Sequence, residues 1–318
     1  MWLAADSIYA GNRKTELKKG SKSSSFGTTP RINHDSSDYY ESRLYQELPP
    51  QQHIESQPDN PFPGEYLDKI LLGSSEKMQD IPSNCLHLMV TSPPYNVTKE
   101  YDQDLSLNEY LDLLRDVFAE TYRVLVDGGR ACVNVANLGR RPYLPLSDFI
   151  SHIMLEIGFL MRGEIIWNKG AGAGVSMAWG SWQSASNPVL RDVHEYILVF
   201  SKGSFARKKT GEHESTISKE QFMEWTKSVW NMNPESAQKV GHPAPFPLEL
   251  PYRLIQLYTF QGDIVLDPFM GSGSTAIAAL KSGRHYLGYE IDTAYVKLAQ
   301  DRIAGFVEKA SGESLTLE

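Results

Sequence analysis

The sequence predicts an α/β protein with a mostly parallel sheet covered by helices on both faces. Three observations carry this. Short, very apolar runs such as Leu86 to Val90 and Glu195 to Phe200 read as strands buried on both sides. Segments with apolar residues at helical spacing alternate with them. A glycine-containing turn, Pro268 to Ser274, then joins a strand to a helix, and open α/β sheets bind their ligands at the C-terminal ends of strands.

The elements follow in order. Leu86 to Val90 is a strand ending at Thr91-Ser92-Pro93-Pro94-Tyr95. Leu107, Tyr110, Leu111, Leu114, Phe118 and Leu125 place one apolar face on a helix over 107–125. Asp127-Gly128-Gly129 ends that unit, and Arg130 to Ala136 is the next strand. Leu146 to Ile157 is a helix stopped by Gly158, and Phe159 to Trp167 is a strand. Residues 169–192 and 201–245 break the regularity. The first is rich in Gly, Ala, Ser and Trp. The second holds Lys202, Arg207, Lys208 and Lys209, then Phe222, Trp225 and Trp230. Then Phe246 to Phe260 is a helix, Asp263 to Asp267 a strand, Ser274 to Lys281 a helix, His285 to Glu290 a strand, and Ala294 to Phe306 a final helix. Residues 1–60 show neither period and read as a flexible or loosely attached extension. Its stretch Arg13 to Lys22 is basic and reads first as a solvated tail.

Bulk properties set bounds. The 318 residues suit one large α/β domain or two modest ones, and 41 % hydrophobic residues still allow a sizeable core. No run approaches the ~18 apolar residues of a membrane span. The start, MWLAADSIYAGNRK, is too short in its apolar part for a secretory signal. We expect a soluble intracellular protein with no membrane partner. Cys85 and Cys132 both sit in apolar runs, so neither a disulfide scaffold nor a metal cluster is expected. The net charge of −8 weighs mildly against nucleic-acid binding, although a local basic face matters more than the total.

Two turns carry chemistry. In Asp267-Pro268-Phe269-Met270-Gly271-Ser272-Gly273-Ser274-Thr275, the glycines let backbone approach a ligand, and the helix start offers free N–H groups. Glu290 ends the next strand, where a carboxylate can accept both ribose hydroxyls of an adenosine. Gly271-x-Gly273-x-x-Ala276 with Glu290 about 20 residues on also fits the dinucleotide pattern. Against that reading, Asp267 stands before the first glycine, where a pyrophosphate calls for no carboxylate but a cationic ligand does. In addition, one βαβ unit alone follows the turn.

The second turn is Thr91-Ser92-Pro93-Pro94-Tyr95. Its prolines remove two N–H donors and stiffen the chain. That leaves the Ser92 hydroxyl and the Pro93 carbonyl as acceptors. An exocyclic amine on a base donates two hydrogens, but its lone pair is delocalised into the ring. Acceptors gripping both hydrogens favour a tetrahedral nitrogen and free the lone pair. Tyr95 offers a flat face for an extruded base.

Together these residues resemble the amino-methylating DNA methyltransferases of the β class. In that circularly permuted order the catalytic motif precedes the cofactor motif, with target recognition between them. Thr91 to Tyr95 resembles the catalytic Ser-Pro-Pro-Tyr motif. Asp127-Gly128-Gly129 with its strand, and Glu164 to Lys169, resemble conserved core strands. His242-Pro243-Ala244-Pro245-Phe246-Pro247 resembles the cofactor-side entry motif, Asp267 to Gly273 the Phe-x-Gly-x-Gly loop, and Glu290 the ribose acid. The match spans about residues 65–310, and its motifs agree in order and spacing.

The resemblance implies an S-adenosylmethionine-dependent, Rossmann-like methyltransferase. Ser92, Pro93, Pro94 and Tyr95 would be catalytic. Asp267, Pro268, Phe269, Gly271, Ser272, Gly273, Thr275 and Glu290 would hold the cofactor, with Pro243, Ala244 and Phe246 beside its methionine end. Double-stranded DNA is the implied partner, with Arg140, Arg141, Lys169, Arg191, Arg207, Lys208 and Lys209 as candidate contacts. The catalytic domain would be 61–318, with recognition insertions about 170–192 and 201–240. A companion restriction endonuclease and a monomeric or homodimeric enzyme also go with the family. In this family Ser at the first motif position usually accompanies cytosine N4 and Asp adenine N6. Ser92 therefore favours N4-methylcytosine, with adenine N6, an RNA substrate and a silent DNA-binding relative as alternatives. Cytosine C5 chemistry needs a cysteine nucleophile, usually after proline, and neither cysteine follows one.

Overall fold

In the computed structural model the described residues are 42–46, 58–95, 105–139, 141–170, 179–207, 213–235 and 246–315. The chain divides into two units, Met1–Gln51 and Gln52–Glu318. In the first, one helical turn, Arg43–Gln46, is described. The basic stretch Arg13 to Lys22 lies outside the described residues.

The second unit contains strands β1 (Lys69–Leu72), β2 (Leu86–Thr91), β3 (Leu125–Val135), β4 (Leu138–Gly139), β5 (Tyr143–Leu144), β6 (Leu160–Asn168), β7 (His194–Ser201), β8 (Val229–Asn231), β9 (Ile264–Asp267) and β10 (His285–Glu290). Its helices are α1 (Leu107–Val124), α2 (Leu146–Ile157), α3 (Lys219–Trp225), α4 (Glu249–Tyr258), α5 (Ser274–Lys281) and α6 (Thr293–Leu315). Eight strands form one sheet in the order β1-β10-β9-β2-β3-β7-β6-β8. β7 is antiparallel to both its neighbours, β3 and β6, whereas the other pairings are parallel. β4 and β5 make a separate small hairpin.

The apolar strand runs are explained by burial on both faces. Ala131, Val133, Val135, Leu198, Phe200, Leu266 and Leu287 pack under α1 and α2. Their alternating neighbours Cys132, Ile197, Val199, Val265 and Tyr286 pack under α4, α5 and α6. This is the period of two expected of a strand with a helix layer on each side.

Local signals fix the element ends. Ser106 and Glu109 form a reciprocal capping box that starts α1. Gly158, with φ 109°, closes α2. Asp127-Gly128-Gly129 does not end a unit as the sequence suggests. β3 begins at Leu125 and runs through it, and the register against β2 shifts there, between the Leu86–Leu125 and Leu88–Arg130 pairs. Gly128 takes φ 73°, and a Cβ there would stand 2.6 Å from the Ala206 carbonyl oxygen. The glycines let the strand bulge under the loop that follows β7.

β2, β9 and β10 all end on one edge, at Thr91, Asp267 and Glu290. The opposite edge is held by charge. Arg207, expected at a DNA surface, is instead buried there and ion-paired to Asp263, the residue before β9. Its second guanidinium nitrogen lies 2.9 Å from Asp263 Oδ1, and Asp263 also accepts the Phe260 N–H. The expectation for Arg207 is corrected on this ground: a guanidinium committed to a buried carboxylate has little left to offer a phosphate. Arg207→Ala would leave Asp263 buried without its counter-charge. We expect a loss of about 3 kcal/mol of stability, read from urea unfolding, with DNA affinity unaltered.

Candidate active site

β10, β9, β2 and β3 are consecutive in the sheet. Their C-terminal ends therefore bring the two motif turns side by side, although about 175 residues separate them in sequence.

Asp267 joins them. Its Oδ1 accepts the Thr91 hydroxyl at 2.7 Å and the Phe269 N–H at 3.1 Å. Its Oδ2 accepts the Thr275 hydroxyl at 2.7 Å. The side chain is buried. Burial pushes its carboxyl up to about 6, against the opposing pull of these three donors. The sequence reading treats Asp267 as a carboxylate presented to a ligand. In the structure it also ties the catalytic strand to the cofactor turn.

The glycine turn is folded by its own contacts. Gly271 and Gly273 adopt φ 50° and 80°, where a side chain is strained. A Cβ on Gly273 would also lie 3.0 Å from that of Ala299 on α6. Gly271 donates to Glu290 Oε2 at 2.8 Å, and Asp292 N–H donates to Oε1 at 3.0 Å. The Ser75 hydroxyl donates to the Pro268 carbonyl at 2.9 Å, and Arg302 to that of Ser272. Phe269 packs half-buried on the α1/α2 core and Phe246 on the other one. Pro243 and Ala244 lie outside the described residues.

At the Ser-Pro-Pro-Tyr turn Pro93 is buried, and Ser92, Pro94 and Tyr95 are half-buried. The Tyr95 hydroxyl accepts the Ala136 N–H at 3.2 Å and lies 3.4 Å from the Ser92 hydroxyl. It donates to Glu195 Oε2 at 3.4 Å. Burial, then the neighbouring Glu195 charge, holds the Tyr95 phenol well above its ordinary ionisation range. Glu195 is buried, accepts Asn134 Nδ2 at 2.6 Å, and is ion-paired to Lys169.

The remaining DNA candidates divide. Lys169 stands at this edge but is engaged with Glu195. Arg141 is exposed. Arg191 stacks on Trp179, 3.6 Å from the ring centroid, with Trp182 edge-on to the same ring. Arg140, Lys208 and Lys209 lie outside the described residues. Sequence reasoning missed Asn134, Glu195 and Ser75. For Glu195 a signal existed: a charged residue opening an otherwise apolar buried strand demands a partner.

Two carboxylates on adjacent strand ends flank a turn whose Gly271 and Gly273 carry no side chain, which fits a ligand with a cationic group and vicinal hydroxyls. With the mostly parallel sheet and its reversed strand, this defines an S-adenosylmethionine-dependent methyltransferase. A model of the N6/N4 methyltransferases, described as DNA methylase, matches residues 86–301. The type II methyltransferase M.MjaI of Methanocaldococcus jannaschii is 31 % identical over 293 residues, covering 79 % of this chain and 95 % of that protein. A DNA modification methylase of Thermus thermophilus, solved with S-adenosyl-L-methionine, is 32 % identical with a TM-score of 0.62, covering 75 % and 94 % of the two chains. The PvuII DNA methyltransferase, cytosine-N4-specific, shares the fold at 17 % identity and a TM-score of 0.60, covering 76 % and 91 %. The chain belongs to the N6/N4 DNA methylase family, the β-class amino-methyltransferases. Its cofactor is S-adenosylmethionine.

If Asp267, whose carboxyl lies at about 6, holds the cofactor, binding is expected to depend on pH. Above that value the carboxylate is ionised and attracts a cationic ligand; below it the attraction is lost. Calorimetry should show affinity falling by up to about tenfold one pH unit below the Asp267 value, and Asp267→Asn should flatten that dependence.

Proposed function

We propose that the protein methylates the exocyclic amino group of a base in double-stranded DNA, with cytosine N4 as the target. Ser92 carries this reading. It is a neutral hydroxyl at the position where relatives acting on adenine N6 usually have Asp. It lies beside the Pro93 carbonyl on a turn whose two prolines offer no N–H in competition.

S-adenosylmethionine, when bound, supplies an electrophilic methyl on a sulfonium. Asp267, the turn from Pro268 to Gly273, Thr275 and Glu290 hold it, with Pro243, Ala244 and Phe246 at its methionine end. Ser92 and the Pro93 carbonyl accept the two amine hydrogens and turn the nitrogen lone pair toward the methyl. Tyr95 supports the flipped base. No covalent enzyme–base adduct is needed. Residues 61–318 form the catalytic domain, and the segments about 170–192 and 201–240 read the target. Arg141 and Arg191 are the phosphate or base contacts we favour among the described residues, with Arg140 next to Arg141 and the Lys208-Lys209 pair after Arg207 as further candidates. A restriction endonuclease of matching specificity is the expected companion. The protein acts as a monomer or homodimer wherever the DNA is.

Purified protein, DNA and S-adenosylmethionine, followed by nucleoside mass spectrometry, tests this. N4-methylcytosine is the expected product; N6-methyladenine would keep the chemistry and overturn the base. Ser92→Ala should cut turnover by about 100-fold or more, a loss of the size found when a single transition-state hydrogen-bonding group is removed. Cofactor affinity should stay within about twofold by calorimetry, since Ser92 is placed on the base side.

A further inference from the structure

We infer that Glu195 is a positioning residue that sets the direction of a hydroxyl chain, Ser92–Tyr95–Glu195, and thereby makes Ser92 an acceptor for the base amine. The inference rests on the proposed amino-methyl transfer and names a residue outside both motif turns.

An ionised carboxylate can only accept. Glu195 is surrounded by donors: the Lys169 ammonium on Oε1, and Asn134 Nδ2 at 2.6 Å on Oε2. It therefore stands as the anion, and the Tyr95 hydroxyl, 3.4 Å from Oε2, must give its one hydrogen to it. The Tyr95 oxygen then has two lone pairs left. One accepts the Ala136 N–H at 3.2 Å. The other faces the Ser92 hydroxyl at 3.4 Å, and it can be met only by the Ser92 hydrogen. With that hydrogen directed at Tyr95, the Ser92 oxygen presents lone pairs elsewhere. A base amine brings only hydrogens to this contact, so lone pairs are what it requires. Without Glu195 the same hydroxyls could run the other way, with Ser92 accepting from Tyr95.

Asn134 supports this. It is buried, its Oδ1 has no hydrogen-bond partner among the described residues, and its amide is spent on Glu195. Three strands supply the arrangement: Asn134 on β3, Glu195 on β7, and Lys169 just past the end of β6.

Glu195→Gln keeps the size and replaces one oxygen by an NH2. The remaining oxygen is drawn to Lys169, so the NH2 faces Tyr95 and reverses the chain. Single-turnover methyl transfer to DNA should fall by about 30-fold or more, with S-adenosylmethionine affinity within about threefold as the check on folding. Tyr95→Phe should cost a similar factor, and the double variant should be about as slow as the slower single, because both break one chain. A merely structural Glu195 would give additive losses. A second readout needs neither cofactor nor DNA. In protein labelled with 3-fluorotyrosine, the fluorine resonance lost in Tyr95→Phe should move in Glu195→Gln. Wild-type rates in Glu195→Gln, additive losses, or an unmoved resonance would each overturn the inference and leave the proposed function standing. A wild-type protein that methylates no DNA would overturn both.

Discussion

The Thr91–Asp267 hydrogen bond, 2.7 Å long and fully buried, is the constraint on which the rest of the site depends. Methyl transfer needs an acceptor nitrogen and a methyl donor held on one line, and an enzyme gains most from fixing their relative position. Here the turn we assign to the base leaves β2, and the turn we assign to the cofactor leaves β9. Adjacent parallel strands set the coarse distance. The bond between the last residue of one and the last residue of the other sets the fine one. Thr275 on α5 binds the second oxygen of the same carboxylate, so strand, turn and helix are referred to one group.

That placement has a cost, visible in the raised ionisation range of Asp267. A carboxylate meeting only hydroxyls and one N–H, with no cation among its named neighbours, is under-compensated in a buried place. A cationic ligand would complete the compensation. On the proposed assignment, the residue that organises the site would also favour a cationic ligand there. Asp263, at the other end of β9, shows the contrast: there Arg207 supplies the missing charge, and the pair is structural.

The sequence exposed most of the architecture because its signals were local. Apolar runs gave β2, β7 and β10 nearly to the residue, Gly158 gave the end of α2, and the glycine turn gave the junction of β9 with α5. The reversed direction of β7 was not legible, since strand patterning is the same in either direction. β1 and β8 were missed because each is short and only partly covered, β1 with the pattern exposed at both ends and β8 with Trp230 alone buried. At the site, residues within a motif could be found. Asn134 and Ser75 could not, because their roles come from strands and loops that meet only in the fold; Glu195 showed only as a charge in an apolar run, with its partners unnamed. Arg207 failed in the opposite sense: a cation beside Lys208 and Lys209 in sequence looks like surface, and only the fold reveals Asp263 beneath it.

The two buried acids at this edge, Asp267 and Glu195, divide the work by the company they keep. Asp267 sits among neutral donors in the turn we assign to the cofactor, so no neighbouring cation answers its charge. Glu195 sits against Lys169 and Asn134, beside the turn we assign to the base, so its charge is already balanced. What it retains is direction, since a carboxylate among donors fixes which way each neighbouring hydrogen points. A neutral base needs oriented acceptors rather than net charge, and a cationic methyl donor needs the reverse. The sheet offers both kinds of group at one edge, with β9 ending in an acid that has no cation among its named neighbours and β7 carrying a paired acid, Glu195, as its second residue.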